Sequence, residues 1–499
     1  MTAKTSFDYL VVGGGTAGAI VAARLAEDKN VTVCLLEAGY SDEGVKEIEQ
    51  LKVWASLLGT KYDYDYLGEA QPYGNSNIRH SRGFMLGGCS SHNSAIAWNA
   101  PDIDMKTWEA SGATGWGPEG TRPYFNRLRE KVNIESPKQD NVLVQAFVAA
   151  AQQAGLPLVS FKEEFTEGVG WFELNKRGEK REASSTAYLH PLSALPENLT
   201  VLTLVQTNRI VVEGERAIAV ETSQGTFFAN REIIVCCGAF NSPKLLLLSG
   251  IGAAQQLREF DIPVVVDLPG VGENLLDHPE SVVLFASSQP VPANTSQFYE
   301  AGLFKRLSPT SIWAELMFHF GTETYDLYTK PLGYPTAKEA FVMTPNVTHP
   351  RSKGIVRLRS SDPSAPPIID PRYFSDPENY DRDVLVAGVK LAREIAQQSA
   401  LRPWIERELA PGVDVQSDAE LGEYVRRSSN TVYHPAGTCR IGSNDDPMAV
   451  VDPSLRVRGI SNLRVADTSV FPTMIGVNPC ITCMMVGEKC ADLVKAGTN

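Results

Sequence analysis

Residues 7–39, FDYLVVGGGTAGAIVAARLAEDKNVTVCLLEAG, constrain the fold more than any other stretch of the chain. An apolar run enters a turn that carries Gly13, Gly15 and Gly18 in GxGxxG spacing, a helical pattern follows, and a second apolar run ends at Glu37. In such a unit Gly13 permits the tight turn, Gly15 lets the backbone approach a pyrophosphate, and Gly18 lets helix and strand close on each other. The helix N-terminus offers unpaired N–H groups to phosphate, and Glu37 stands where a carboxylate accepts hydrogen bonds from ribose hydroxyls. A dinucleotide-binding βαβ unit is therefore expected. The spacing leaves NAD and FAD both open.

Downstream organisation narrows that choice. A simple nicotinamide dehydrogenase would add further strand-helix units within the next hundred or so residues. This chain runs instead into a loop-rich region, residues 40–100, that contains GGCSSHNS (87–94). Alternating apolar strands follow at about 199–237, a new strand-turn-helix unit opens at REIIVCCGAFNSPKLLLLSGIG, and a last one, LRVADTSVFPTMIGVNPCITCMMVGEKCADLV, lies at the C-terminal end. The strand at 463–466 and the helix after it look like the closing part of a sheet that begins near residue 10. The nucleotide domain is then discontinuous, with a second domain inserted, as in many flavin oxidoreductases.

Charge and composition exclude several classes. There are 46 Lys and Arg against 59 Asp and Glu, a formal charge of -13, and no basic run able to neutralise a phosphate backbone, so nucleic acid is not expected as a partner. No apolar run approaches the roughly 18 residues of a membrane span, and the N-terminal apolar segment is too short for a signal sequence, so a cytoplasmic protein without a membrane partner is expected. The eight cysteines are scattered, which suits reduced thiols. Cys480 and Cys483 form a CxxC without a second ligand pair nearby, and are read as packed residues of a C-terminal helix; no metal is expected.

The blocks GAFNSPKLLLLSGIG (238–252), LPGVGENLLDHPE (268–280), YHPAGTCRIG (433–442) and LRVADTSVFPTMIGVNP (463–479) resemble those of the glucose-methanol-choline (GMC) oxidoreductases, and the likeness spans essentially the whole chain. GGCSSHNS, YDYDY, TPNVTH, VRLRS, DPRYFSDPENYD and NTVYHPAGT bring it nearest to the choline-oxidising branch. The resemblance implies an α/β fold: a discontinuous Rossmann-like FAD domain (1–153, 190–279 and 432–499) and a substrate domain (154–189 and 280–431) with an antiparallel sheet flanked by helices. It also implies a homodimer and oxidation of a primary alcohol, choline or a related amino alcohol, with dioxygen as acceptor and hydrogen peroxide as product. Neutral primary alcohols, with oxidase or dehydrogenase chemistry, are the alternative.

By the same resemblance His92 corresponds to the histidine that bonds covalently to FAD, with a hydrogen-bonded loop histidine as the alternative. Its neighbours Gly87, Gly88, Ser91, Asn93 and Ser94 would lie against the ring system, and Asp467 and Pro479 complete the cofactor set. Alcohol oxidation requires removal of the hydroxyl proton and stabilisation of the alkoxide. His434 is assigned as base, Asn478 as the residue that orients the hydroxyl, and His319 as a second hydrogen-bonding partner. His80, His190 and His349 are assigned structural places, and His278 is left between structure and site. Glu280 would face a cationic headgroup in an aromatic cage of Trp54, Tyr299, Tyr325 and Tyr433, with Val432 near the flavin carbon that meets oxygen.

Two departures qualify these expectations. Tyr299 and Tyr325 stand where the choline-oxidising members carry tryptophan and phenylalanine. At 131–147 the HGxxGP element of the family is missing or shortened, so more open access to the site is expected.

Overall fold

A computed structural model describes residues 5–75, 78–162 and 167–497. Strand Ser6–Val12 runs buried into the Gly13 turn, helix Gly18–Leu25 leaves it, and strand Val33–Leu36 returns parallel to the first with Tyr9 opposite Val33. These form the centre of a seven-stranded sheet ordered Leu199–Leu202, Val33–Leu36, Ser6–Val12, Gly225–Val235, Arg216–Thr222, Thr207–Glu213. The seventh strand, Leu463–Val465, lies parallel to the second half of Gly225–Val235, with Ile233 opposite Leu463. The first half of that long strand pairs antiparallel with Arg216–Thr222, so one strand edge serves two distant segments. A discontinuous parallel sheet, opened near residue 6 and closed near residue 465, is what the apolar runs anticipate.

The second sheet has eight strands. Its main path runs Ile405–Ala410, Val283–Ser287, Ala340–Val347, Leu316–Gly321, Ala301–Lys305, Gly168–Trp171, with the short strands Pro279–Glu280 and Asn430–Thr431 attached beside Ala340–Val347. Every pairing is antiparallel. Val283–Ser287, Leu316–Gly321 and Ala340–Val347 are buried along their whole length, as strands covered on both faces must be. The amphipathic helix Tyr380–Ala396 covers one face.

Helix Val142–Gln153, expected with the nucleotide segment, packs on this second sheet: its Phe147 ring stacks on Phe320 at 4.3 Å between centroids. Asn141 caps it by accepting from Leu143 N and Val144 N at 3.0 and 3.1 Å. Helix Ser184–Tyr188, expected with the substrate segment, packs against Gly18–Leu25. The sequence shows the apolar face of Val142–Gln153 but not the layer that receives it, and Ser184–Tyr188 turns two serines inward with no apolar signal at all.

Among the described residues, no helix is long and apolar enough to cross a membrane. Four helices are tied at one buried carboxylate. Glu488, on Cys480–Ala496, accepts from Arg24 Nε at 2.9 Å, Arg127 Nη1 at 3.3 Å and Tyr188 OH at 2.6 Å, one group from each of three other helices. Removing a buried partner of this kind leaves the Tyr188 phenol without its acceptor and leaves Arg24 and Arg127 only the more exposed carboxylates Asp492 and Glu27. Glu488→Ala is expected to cost about 3 kcal/mol or more, and Asp492→Ala, at the more exposed edge of the same cluster, under about 1 kcal/mol. Thermal unfolding of the two variants side by side checks the difference.

Candidate active site

The glycine turn and the 87–94 loop meet face to face. Gly13 has φ of +97°, and a Cβ there would stand 2.5 Å from Cys236 O; a Cβ on Gly88 would stand 2.8 Å from Gly15 Cα. Lacking a side chain, Gly88 lets the loop lie against Gly15, and Gly13 lets the turn lie against the backbone that follows strand Gly225–Val235. Glu37 is buried behind the turn, its carboxylate accepting from Gly14 N at 2.7 Å and Gly39 N at 2.6 Å. Burial raises its pKa to about 7 against the pull of those bonds. Asp467 is likewise buried and accepts from Gly238 N, Ser242 Oγ and Ser469 N at 2.9, 2.6 and 2.7 Å, joining the start of helix Gly238–Leu248 to the loop after the closing strand.

These groups line one cavity of about 1200 Å³ that continues to the antiparallel sheet. It exceeds the roughly 300–1,000 Å³ of a pocket for one small molecule. Gly13, Gly15, Glu37, Gly88, His92, Asn93, Ser94, Asp467 and Pro479 line its nucleotide side; Trp54, Glu280, Tyr299, His319, Tyr325, Val432, Tyr433, His434 and Asn478 line the other. Three expected cofactor residues do not. Gly18 packs under Gly13 O, Gly87 closes the turn of the loop, and Ser91 points away from the cavity, donating to Leu86 O at 2.9 Å and lying 3.1 Å from Asp42 Oδ2. Cys480 and Cys483 open the C-terminal helix at the cavity wall as free thiols, a placement their helical reading does not reveal.

At the second end, the hydrogen bonds fix the tautomers of three histidines. His278 Nε2 lies 2.9 Å from both Thr348 O and Ile475 O, so this nitrogen carries the proton and donates to them. Burial drags the His278 pKa to about 3, so the ring is neutral and its Nδ1 holds a lone pair. That Nδ1 is 2.8 Å from His434 Nδ1. His434 is therefore the donor in this bond. Burial also holds His434 well below its usual pKa, so its Nε2 has no proton and offers a lone pair beside Asn478 Nδ2 at 3.3 Å. Asp277 keeps the pair in place, accepting from His434 N and His278 N, both at 2.9 Å, and from Tyr373 OH and Thr431 Oγ1, both at 2.5 Å.

His319 has the opposite tautomer. Asn346 Nδ2 donates to its Nδ1 at 3.4 Å, and burial takes its pKa to about 4, so Nε2 carries the proton. His319 Nε2 and Asn478 Oδ1 are buried and make no hydrogen bond of ordinary length among the described residues, although the Asn478 side chain is near enough to His319 to pull its pKa up against burial. Such orphans fit a polar group of a bound molecule. An acceptor, His434 Nε2, and a donor, His319 Nε2–H, thus face one cavity.

Glu280 is 5% exposed. Its Oε1 accepts from Asn430 Nδ2 at 3.1 Å and Tyr325 OH at 3.4 Å, and burial raises its pKa to about 8. Among the described residues no Lys, Arg or His pairs with it. Trp54 and Tyr299 lie 6.5 Å apart between ring centroids, and Tyr299 stands edge-on to His319 at 6.3 Å. Tyr433 has φ of +63°, held by Thr431 Oγ1 accepting from its N at 2.7 Å and by Arg82 Nη2 donating to its O at 2.6 Å. Local strain of this kind gathers at functional sites. Despite the short 132–141 connection, His92, Glu280 and His434 are 5%, 5% and 8% exposed, so the reacting groups are not opened to solvent as expected.

His80, His190 and His349 do not line the cavity. His80 packs edge-on to Phe240, His190 is 2.9 Å from Asp42 and His349 is 2.8 Å from Asp104. Asp277 and His278 escape sequence reasoning except through their adjacency to Glu280. Nothing in the spacing marks Asp63, Ser81, Arg82 or Asn430.

A dinucleotide cradle that runs into a buried pocket with an imidazole acceptor and an imidazole donor has the layout of a flavin-dependent alcohol oxidoreductase, the class to which its similarity to known proteins assigns the chain. GMC oxidoreductase family profiles match residues 7–280 and 350–487. The choline oxidase of Arthrobacter globiformis is 46% identical over 98% of this chain and 94% of its own length. Among solved structures, pyridoxine 4-oxidase from Mesorbium loti superposes with a TM-score of 0.90 at 31% identity, covering 97% of this chain and 98% of that one. An Aspergillus oryzae formate oxidase variant, studied for its FAD modification, gives 0.89 at 25% identity, covering 100% and 99%. The chain belongs to the GMC oxidoreductase family. FAD is its cofactor, and the glycine cradle, Glu37 and the cavity volume fit that group.

His278→Leu removes the acceptor that sets the His434 tautomer and leaves no competing polar atom. We expect kcat/KM for an alcohol to fall about 10²-fold with FAD content unchanged. Steady-state kinetics against flavin absorbance per chain separates this outcome from loss of cofactor.

Proposed function

We propose that this enzyme oxidises choline, or a closely related cationic amino alcohol, to the aldehyde and then, through the aldehyde hydrate, to the acid. The observation that carries the reading is Glu280: a buried carboxylate without a cationic partner, in the cavity that also holds His434. An unpaired buried charge costs several kcal/mol, and a bound ammonium group would supply the missing partner. Trp54, Tyr299, Tyr325 and Tyr433 add ring faces that attract a quaternary ammonium. Had Glu280 been neutralised by an arginine or lysine, neutral alcohols would be the better substrates.

Bound FAD supplies the two-electron acceptor for the carbinol carbon, and dioxygen returns it to the oxidised state with hydrogen peroxide as product. His434 Nε2 takes the hydroxyl proton, its lone pair fixed at that nitrogen by the bond from its Nδ1–H to His278 and met there by Asn478 Nδ2 at 3.3 Å. The Asn478 amide orients the oxygen, and His319 Nε2–H donates to the alkoxide as charge develops there. An acceptor and a donor held in place before the substrate arrives need no reorganisation during the reaction. Val432, whose N donates to His278 O at 3.0 Å, lines the cavity and would stand beside the bound cofactor where oxygen approaches. His92 is the point of covalent attachment to FAD, and the buried neutral ring with a pKa near 4 supports that role by keeping a nitrogen lone pair available.

Peroxide formation in air from choline and from its neutral isostere 3,3-dimethylbutan-1-ol tests the reading. A strong preference for choline that Glu280→Gln abolishes, with kcat/KM for choline about 10²-fold lower, is the expected result. Equal rates for the two alcohols would sink it, and flavin bleaching with choline but no peroxide in air would make the enzyme a dehydrogenase. The pH profile gives a second check. Glu280 is neutral below its pKa of about 8 and charged above it. kcat/KM for choline, which reports the free enzyme, should rise with pH through that region and level off, while the neutral isostere shows no limb from this group.

A further inference from the structure

His92 does not stand alone in its wall of the cavity. Its Nε2 lies 3.3 Å from Ser81 Oγ and 3.9 Å from Asp63 Oδ2. The Ser81 hydroxyl donates to that same Asp63 oxygen in a short hydrogen bond. With its one proton committed to Asp63, Ser81 is left as an acceptor toward His92, which places the imidazole proton on Nε2. Asp63 is held rigidly. Its Oδ2 also accepts from Gly59 N at 2.9 Å, and its Oδ1 accepts from Asp65 N at 2.9 Å and Arg82 N at 2.8 Å. The Asp63 side chain is fully buried, and Arg82 and Arg181 are the cations near His92. Neither the alcohol chemistry at His434 nor the headgroup pocket at Glu280 uses this triad.

We infer that Asp63 and Ser81 form a proton relay that serves His92 in the covalent attachment of FAD. The inference rests on the reading of His92 as the attachment point. In the reaction an imidazole N–H bond and one C–H bond of the flavin 8-methyl group break, and a C–N bond forms between the ring and the methyl carbon. The imidazole proton leaves Nε2 through Ser81 Oγ toward Asp63, and the methyl proton is lost separately. The two electrons released reduce the flavin, and dioxygen reoxidises it, taking up two electrons and two protons as hydrogen peroxide. Burial disfavours a charged imidazolium at this position, so an attacking ring must shed its proton as the bond forms. The relay supplies the acceptor. Both residues act on the flavin only through His92, and are positioning and proton-accepting groups for it.

The test compares wild type, Ser81→Ala, Ser81→Thr, Asp63→Asn and His92→Asn by two readouts. Flavin absorbance of the native protein gives total bound FAD; intact mass and flavin fluorescence of the denatured chain give the covalent fraction. Wild type should be covalently loaded, and His92→Asn should bind FAD without a bond. Ser81→Ala and Asp63→Asn should keep bound FAD while attachment in air slows at least tenfold, and Ser81→Thr, which retains the hydroxyl, should restore it. Ser81→Ala leaves the backbone bonds of Asp63 intact, so it decides the matter if Asp63→Asn fails to fold. Covalent loading of Ser81→Ala at the wild-type rate would overturn the relay while leaving the His92 reading intact. A wild-type enzyme without covalent FAD would overturn the His92 reading, and the relay with it.

Discussion

Two carbonyl oxygens, Thr348 O and Ile475 O, determine what the site can do. Both accept from His278 Nε2, and through that one commitment the proton on His434 is fixed at Nδ1 and its lone pair at Nε2. The carbonyls come from the residue just after the central strand Ala340–Val347 and from the loop before the C-terminal helix, elements brought together only when both layers are complete. Folding and the state of the base are thus one event. Burial contributes the other half: it keeps His278, His319 and His434 neutral, so each ring has one donor and one acceptor, and the network has a single consistent proton assignment.

The same low-dielectric environment gives opposite outcomes at Glu280. Neutral rings can remain buried with their protons assigned by neighbours, whereas the Glu280 carboxylate has only neutral donors, Asn430, Thr344 and Tyr325, and shifts upward toward its protonated form. The pocket is therefore electrically incomplete at one end and chemically primed at the other. The proposed ammonium-bearing alcohol would span the two. Tyr299 and Tyr325 add hydroxyl groups to a cage that already holds that of Tyr433, and the Tyr325 hydroxyl is engaged with Glu280.

Much of the architecture is legible in the sequence because it rests on local constraints. The Gly13 turn needs φ above zero and close backbone approach, and the apolar run at 463–466 has no use except as a sheet strand. His434, Asn478 and Glu280 are reached through family blocks, and with His319 they do line one cavity. What stays hidden depends on partners distant in sequence. His278 gains its meaning from a ring 156 residues away and from carbonyls with no side-chain signature. Ser91, small and polar like its neighbours, turns away from the cavity because Leu86 O and Asp42 bind it from behind. The layer that Val142–Gln153 joins is set by Phe320, which the helix's own periodicity cannot indicate.

The central claim is that His434 is a neutral base with its proton on Nδ1. Neutron diffraction from a crystal grown in deuterated solvent near neutral pH reads this directly. The account predicts deuterium density on His434 Nδ1 directed at His278, none on His434 Nε2, and density on His278 Nε2 between the two carbonyls. Deuterium on His434 Nε2, alone or on both ring nitrogens, would contradict it.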